Sequence, residues 1–208
     1  DVYKRQRSEN HAQFEEMDPG YHGSNGELNV TIPTKFQSPY VKSFILACSA
    51  NGIPENKDYN GSNQQGCNVV QSTIRNGKRD SGATAFLKPV LNRKNLNAIS
   101  FAQVEKIIFE DKKAIGVQYR KGNKLIKVNT KKEIIISAGA FQSPQLLMLS
   151  GIGEALELNK HGIKTIHELK GVGKNLQDHL FFPVSAQSKT QDGICLLYTS
   201  DAADEWRS

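Results

Sequence analysis

The sequence lacks several features that mark whole classes of protein. It contains no apolar run of about 18 residues, so it predicts no membrane span, and no apolar signal-peptide core follows the first residues. The first residue is Asp rather than Met, so we expect the natural start to lie upstream and the localisation to stay open. Cysteine is scarce, at 3 residues, and no CxxC spacing or histidine cluster accompanies it, which argues against a metal site.

A disulfide between Cys48 and Cys67 is possible, but we expect two buried free thiols.

The formal net charge is +6 at pH 7, and a basic protein can bind nucleic acid through its phosphates. Here the basic residues are spread over predicted strands and turns, without a basic helix or a known nucleic-acid motif. We therefore expect a solvated basic surface and no nucleic-acid partner.

The two ends of the chain are related to each other through DNA. The first six residues, DVYKRQ, can be encoded by GAT GTG TAT AAG AGA CAG. The reverse complement of that DNA, shifted by one base, encodes CLLYTS, which is residues 195–200. This inverted repeat resembles the transposon-end adapter used in preparing sequencing libraries. We predict that residues 1–6 and 195–208 are adapter-derived and pack against nothing.

Between these ends, the first half of the chain consists of loops and short elements. The string ELNVTI predicts a strand, and Ser38-Pro39 provides an N-cap and a first-turn proline for a helix over residues 40–50. The long Gly-rich loop that follows is typical of a site wall or lid. Residues 73–91 predict a turn and a short helix.

From residue 96 the pattern changes to β structure. Residues 97–138 predict strands that end in a buried strand at 134–137. Ser143-Pro144 then predicts the start of a helix over 144–150. Because strands and helices mix within one continuous core, the sequence predicts an α/β or mixed α+β fold.

The predicted buried strand ends in Ala138, Gly139 and Ala140. With no side chain larger than a methyl group, a flat or charged ligand can approach the backbone there. The following helix directs free N–H groups toward the same place. These residues alone leave two interpretations open: a ligand site, or close strand–helix packing with glycines in turns.

The complete string SAGAFQSPQLLMLSGIG, residues 137–153, resembles the second signature of the glucose–methanol–choline (GMC) family of FAD-dependent oxidoreductases. The segment GVGKNLQDHL, residues 171–180, is similar to a further segment of that family. Two upstream stretches, GIPENKDYNGSNQQG and GKRDSGATAFLKPVLNRKNL, look like insect-type, glucose dehydrogenase-like members. The resemblance covers nearly all of residues 18–185.

The resemblance implies an incomplete fold, with part of an FAD-binding domain and part of a substrate-binding domain. It assigns residues 7–95 mainly to the substrate side and residues 96–185 to the FAD-domain sheet and second signature. Residues 186–194 would begin a truncated C-terminal region.

The resemblance also implies FAD as cofactor, bound by Val104, Ala138, Gly139 and Ala140. The backbone of Val104 would meet the adenine, although an ordinary strand-core role for Val104 stays open. The implied reaction oxidises the CH–OH group of a small alcohol or sugar, with oxygen or a quinone-type compound as the final electron acceptor.

Two functional parts of the family have no match in these 208 residues. There is no Gly-x-Gly-x-x-Gly turn for the ADP half of FAD, and no histidine stands in the context of the catalytic base. We expect no catalytic residue and no metal ligand here, and a chain that is inactive alone. A non-catalytic binding or structural module of the same fold is the alternative. Secretion would be compatible with the resemblance.

Overall fold

The computed structural model describes residues 2–33, 39–180 and 182–183 of the 208-residue chain. The chain divides into two compact units after Asn97, which corrects the expectation of one continuous core. Strands and helices occur in both units, as the predicted mixed fold requires. The predicted domain boundary at residue 95 and the domain identity of each unit stay predictions. In the described part of the chain, no helix has the length and apolar character needed to cross a membrane.

The first unit consists of short elements around two small sheets. Strands β1 and β2 pair in parallel, and β3 and β4 form an antiparallel pair. The elements are α1 (Val2–Ser8), β1 (Glu9–His11), β2 (Leu28–Val30), α2 (Pro39–Ala50), β3 (Ile74–Arg75) and β4 (Lys78–Arg79), followed by short helical turns at Ala83–Leu87 and Lys88–Val90. The strand predicted in ELNVTI is confirmed as β2, the helix predicted over residues 40–50 as α2, and the turn and short helix predicted over residues 73–91 as β3-β4 and the helical turns after them. The predicted N-cap, Ser38, lies outside the described residues.

The first residues of the chain pack against the first unit, so the prediction that residues 1–6 contact nothing is wrong. The Arg5 guanidinium donates hydrogen bonds to the carbonyl oxygens of Tyr21 and Asn60, each at 2.8 Å. Gln6 Nε2 donates to the carbonyl oxygen of Gly20 at 3.0 Å. A guanidinium can satisfy backbone carbonyls whatever the origin of the segment that carries it. The adapter origin itself stays a prediction, and residues 195–208 lie outside the described residues.

The second unit is built on an antiparallel sheet in the order β5-β6-β7. Gly122 forms the tight turn between β6 and β7 with φ of 56°, a left-handed conformation that favours glycine. Its elements are β5 (Gln103–Glu110), β6 (Lys113–Lys121), β7 (Lys124–Asn129), α3 (Gly139–Leu149), β8 (Ile152–Gly153), α4 (Ala155–Lys160) and β9 (His167–Glu168). Strands β8 and β9 pair in parallel.

The predicted buried strand at residues 134–137 is wrong. These residues belong to no strand or helix, and the Ile135 side chain is 78% exposed. Strand structure requires a neighbour that completes the hydrogen bonds of the backbone, and the described residues provide none here. A β-branched run such as EIIIS encodes a preference for strand structure, not the presence of a partner.

Ser150 joins the end of α3 to the sheet. Its hydroxyl donates to the carbonyl oxygen of Leu146 at 2.6 Å and accepts the N–H of Ile107 at 2.8 Å. Both Ser150 and Ile107 are buried. The hydroxyl therefore completes a hydrogen bond of β5 on the edge that faces α3.

We expect Ser150→Ala to lower the free energy of unfolding by about 1–3 kcal/mol, because the buried N–H of Ile107 loses its partner. Urea unfolding followed by circular dichroism measures the change. Ser137→Ala, at an exposed position, is the matched control and should change stability by less than about 0.5 kcal/mol. Equal effects of the two substitutions would contradict the role of Ser150.

Candidate functional site

The N-terminus of α3 contains three of the four predicted cofactor-binding residues. Ala138, Gly139 and Ala140 are all exposed. Gly139 has φ of 88°, and a Cβ atom added to it would meet nothing within 4 Å. Glycine adopts this left-handed conformation without steric strain. The backbone is thus open to a ligand at the point where α3 begins.

The helix begins at Gly139 rather than at the predicted Ser143-Pro144. Ser143 is not an N-cap: it lies in the second turn, where its hydroxyl accepts the N–H of Ala138 at 3.0 Å. Pro144 lies inside the helix, where its φ suits helical geometry although it removes one N–H donor. The predicted helical stretch that follows Pro144 is confirmed as far as Leu149. The earlier start places the unpaired N–H groups of the first turn directly at Gly139.

Val104, the fourth predicted residue, lies in β5. It is half-buried and pairs with Tyr119 of β6, directly before an irregularity in the strand register. Helix α3 packs against β5, so all four predicted residues lie in the second unit. The contacts of Val104 are those of an ordinary strand residue, and its role toward a cofactor stays a prediction.

A pocket of about 850 Å³ lies between α3 and the segment 171–176. Ala140 and Met148 line it on the helix side, and Val172, Gly173 and Lys174 line it on the other. The two strings that resemble family signatures therefore meet at one pocket. Of the predicted cofactor residues, Ala140 is the one that lines it.

A buried histidine joins two carboxylates in the first unit, a feature that sequence reasoning missed. His22 Nδ1 lies 3.1 Å from Glu9 Oε2, and His22 Nε2 lies 2.8 Å from Asp58 Oδ1. The His22 side chain is fully buried. Both ring nitrogens of His22 therefore lie within hydrogen-bond distance of a carboxylate oxygen.

Backbone donors hold both carboxylates of this network. Asp58 accepts the N–H of Asp18 at 2.9 Å, and Glu9 accepts the N–H of Gly23 at 3.0 Å. Burial acts to raise the pKa of Asp58, but the Asp18 N–H and the His22 ring outweigh it and hold that pKa below its ordinary value. Gly23 must be glycine, because a Cβ atom would lie 1.9 Å from the carbonyl oxygen of Gln6.

His11 brings a third potential metal ligand close to Glu9 and His22, since one ligand atom of each lies within 4.8 Å of the others. Both ring nitrogens of His22 already lie against carboxylates, and the absence of a metal ligand stays a prediction. His11 Nδ1 accepts the N–H of Gln13 at 3.2 Å, and its buried Nε2 has no hydrogen-bond partner among the described residues. Burial lowers the pKa of His11 and outweighs the opposing effect of the Glu9 carboxylate.

The remaining histidines lie in the second unit and on its surface. His161 contacts Glu157 at 3.3 Å, and His167 and His179 are exposed. None of these three contacts a carboxylate in a buried, base-like setting among the described residues.

Comparison with protein-family models identifies residues 3–181 as a GMC oxidoreductase N-terminal region. The match covers most of the chain and includes both signature strings. The chain belongs to the GMC oxidoreductase family. The predicted resemblance is thereby confirmed at the level of the family, while the insect-type, glucose dehydrogenase-like detail stays a prediction.

Two curated relatives from the GMC family show how much of a complete protein this chain represents. An alcohol dehydrogenase [acceptor] of Pseudomonas putida is 44% identical over 182 residues, which is 86% of this chain and 33% of that protein. The mitochondrial choline dehydrogenase of Homo sapiens is 44% identical over 160 residues, 77% of this chain and 27% of that protein. The chain spans about a third of the length of its relatives.

Solved structures give the same result for the fold. Pyridoxine 4-oxidase from Mesorbium loti superposes with a TM-score of 0.79 at 31% identity, over 86% of this chain and 34% of that one. An FAD-dependent oxidoreductase from Chaetomium thermophilum gives a TM-score of 0.77 at 31% identity, over 85% and 32%. The mixed α/β fold of this chain is therefore an incomplete GMC fold.

Proposed function

We propose that this chain supplies part of the FAD-binding domain and part of the substrate-binding domain of an FAD-dependent oxidoreductase. The parent protein would oxidise the CH–OH group of a small alcohol or sugar and pass electrons on to oxygen or a quinone-type acceptor. Membership of the GMC family supports this proposal, as do the alcohol and choline dehydrogenases among the relatives. We assign residues 96–185 to the FAD side and residues 7–95 mainly to the substrate side.

The observation that carries the proposal is the open backbone at the start of α3. Gly139 has no side chain, so a ligand can come close to its backbone. Ala138 and Ala140 extend this small-residue surface on both sides. Unpaired N–H groups of the first helical turn suit an anionic or electron-rich group. We propose that these three residues contact FAD, and that the backbone of Val104 contacts its adenine.

FAD, when bound, would accept the hydride from the alcohol carbon. The residues of this chain would orient the cofactor and exclude water from one side of it. We assign no proton acceptor to the described residues, because His11 and His22 are buried in the ion-pair network and His161 is held by Glu157. The catalytic base is therefore expected from another part of the parent protein.

The complete reading frame, recovered from the source transcript and expressed, tests this proposal. We expect a purified protein with the yellow absorbance of a flavin in about equal molar amount, which an alcohol substrate bleaches in the absence of an electron acceptor. A folded complete protein that neither contains FAD nor takes it up would contradict the proposal. A flavoprotein that no alcohol or sugar reduces would retain the cofactor assignment and contradict the reaction.

A further inference from the structure

Two cysteines lie near the C-terminal end of α2. Cys48 lies in the last turn of that helix, and Cys67 lies at the end of the loop that follows it. Burial and the neighbouring Cys48 thiol raise the pKa of Cys67. Both cysteines are free thiols, as predicted, but they are half-buried rather than buried.

Backbone hydrogen bonds hold both cysteines against residues 53–56. The N–H of Ile53 donates to the Cys48 carbonyl oxygen at 2.9 Å, which turns the chain back at the end of α2. The N–H of Cys67 donates to the carbonyl oxygen of Pro54 at 3.0 Å, and the N–H of Asn56 donates to the carbonyl oxygen of Cys67 at 3.1 Å. Main-chain hydrogen bonds therefore anchor both cysteines to the same short segment, residues 53–56.

The loop between the cysteines carries a partner of the buried histidine. Asp58 contacts His22, and the carbonyl oxygen of Asn60 accepts a hydrogen bond from Arg5. Asn56 Nδ2 closes the loop on itself by donating to the carbonyl oxygen of Asn63 at 2.7 Å. A covalent link at the base of this loop would restrain the position of Asp58.

We propose that Cys48 and Cys67 form a reversible disulfide that clamps residues 48–67 and thereby stabilises the His22 ion-pair network. The oxidant is a low-molecular-weight disulfide such as oxidised glutathione. One cysteine thiolate attacks the oxidant, forms a mixed disulfide and releases one glutathione thiol. The second cysteine then displaces the other glutathione, so two protein thiols are oxidised while one disulfide is reduced to two thiols.

The surroundings of Cys67 distinguish this pair from a catalytic cysteine. Burial and the contact with Cys48 raise the pKa of the Cys67 thiol, so little thiolate is present at neutral pH. The rate of oxidation is therefore slow, and selectivity comes from the neighbouring thiol. Once formed, the cross-link restricts the unfolded chain and stabilises the folded form.

Peptide mapping of the 208-residue protein tests the proposal. The protein is incubated with oxidised glutathione, its remaining thiols are alkylated, and it is digested with trypsin without reduction. Cleavage after Lys42, Lys57 and Arg75 places Cys48 in peptide 43–57 and Cys67 in peptide 58–75. We expect these two peptides to be recovered as one cross-linked species that dithiothreitol separates. The third cysteine, Cys195, lies in a different peptide and serves as the internal control.

The unfolding midpoint in urea provides a second measurement. Oxidation should raise the midpoint in the unsubstituted protein and in Cys195→Ser, and should leave it unchanged in Cys67→Ser. The same oxidation in denaturant should lose the preference for the 48–67 pair. Recovery of peptides 43–57 and 58–75 unlinked, each carrying glutathione or the alkylating group, would overturn the proposal. So would pairing with Cys195 as frequent in the native protein as in denaturant.

Discussion

Replacing His22 by alanine is expected to lower the free energy of unfolding of this chain by about 3–5 kcal/mol, enough to unfold a marginally stable protein. The reason is the position of the ring between Glu9 and Asp58, where the His22 side chain is fully excluded from solvent. Without the ring, the buried Glu9 carboxylate keeps the N–H of Gly23 as a donor and loses its histidine partner. Urea unfolding followed by circular dichroism measures the loss.

His167→Ala is the matched control for this substitution. His167 is exposed, and its backbone N–H donates to the carbonyl oxygen of Gly151, a bond that the substitution leaves in place. Its replacement should therefore lower the free energy of unfolding by less than about 0.5 kcal/mol. If both variants unfold at the same urea concentration, His22 does not hold the first unit together in the way that its contacts indicate.

The second large effect concerns the cofactor: the 208-residue chain, expressed as it stands, should neither hold FAD tightly nor oxidise an alcohol. The sequence contains no Gly-x-Gly-x-x-Gly turn for the pyrophosphate, which leaves Ala138–Ala140 and Val104 as the proposed contacts. No described histidine is placed as a general base, and such a base typically contributes about 10²–10⁴-fold to the rate.

Exposed apolar side chains add a tendency to aggregate. Ile135, Phe141 and Leu156 are each more than 70% exposed, and large exposed apolar patches are an aggregation liability. Flavin absorbance after gel filtration and a dye-linked activity assay measure the outcome. Stoichiometric FAD together with turnover by this chain alone would show that the site lies elsewhere than proposed.

The parts of the fold that the sequence predicts correctly are those with local signals. Short-range patterns of apolar residues predict the strands of the β5-β6-β7 sheet and the helix after Pro144. The strand predicted at residues 134–137 failed because strand structure depends on a partner, which a pattern in one segment does not reveal. The helix start at Gly139 was missed because Ser143-Pro144 imitates a capping signal.

The buried histidine network could not be predicted for a related reason. Glu9, His22 and Asp58 are distant in sequence and follow no motif spacing, and the three meet through tertiary contacts. One local signal was present: Gly23 directly follows His22, and its lack of a Cβ permits close approach of Gln6. Glycine next to a buried charge is too common to identify such a network from one sequence.

The most direct test of the cofactor assignment is the flavin content of the complete protein carrying Gly139→Val, compared with Gly122→Val. Both glycines have positive φ, at 88° and 56°, and open space at Cβ, so each substitution places a valine in a backbone conformation that favours glycine. Only Gly139 lies at the proposed site. The ratio of flavin absorbance to protein should fall to a small fraction in Gly139→Val and stay near the unsubstituted value in Gly122→Val. Full flavin occupancy in a folded Gly139→Val protein would contradict the assignment of FAD to the start of α3.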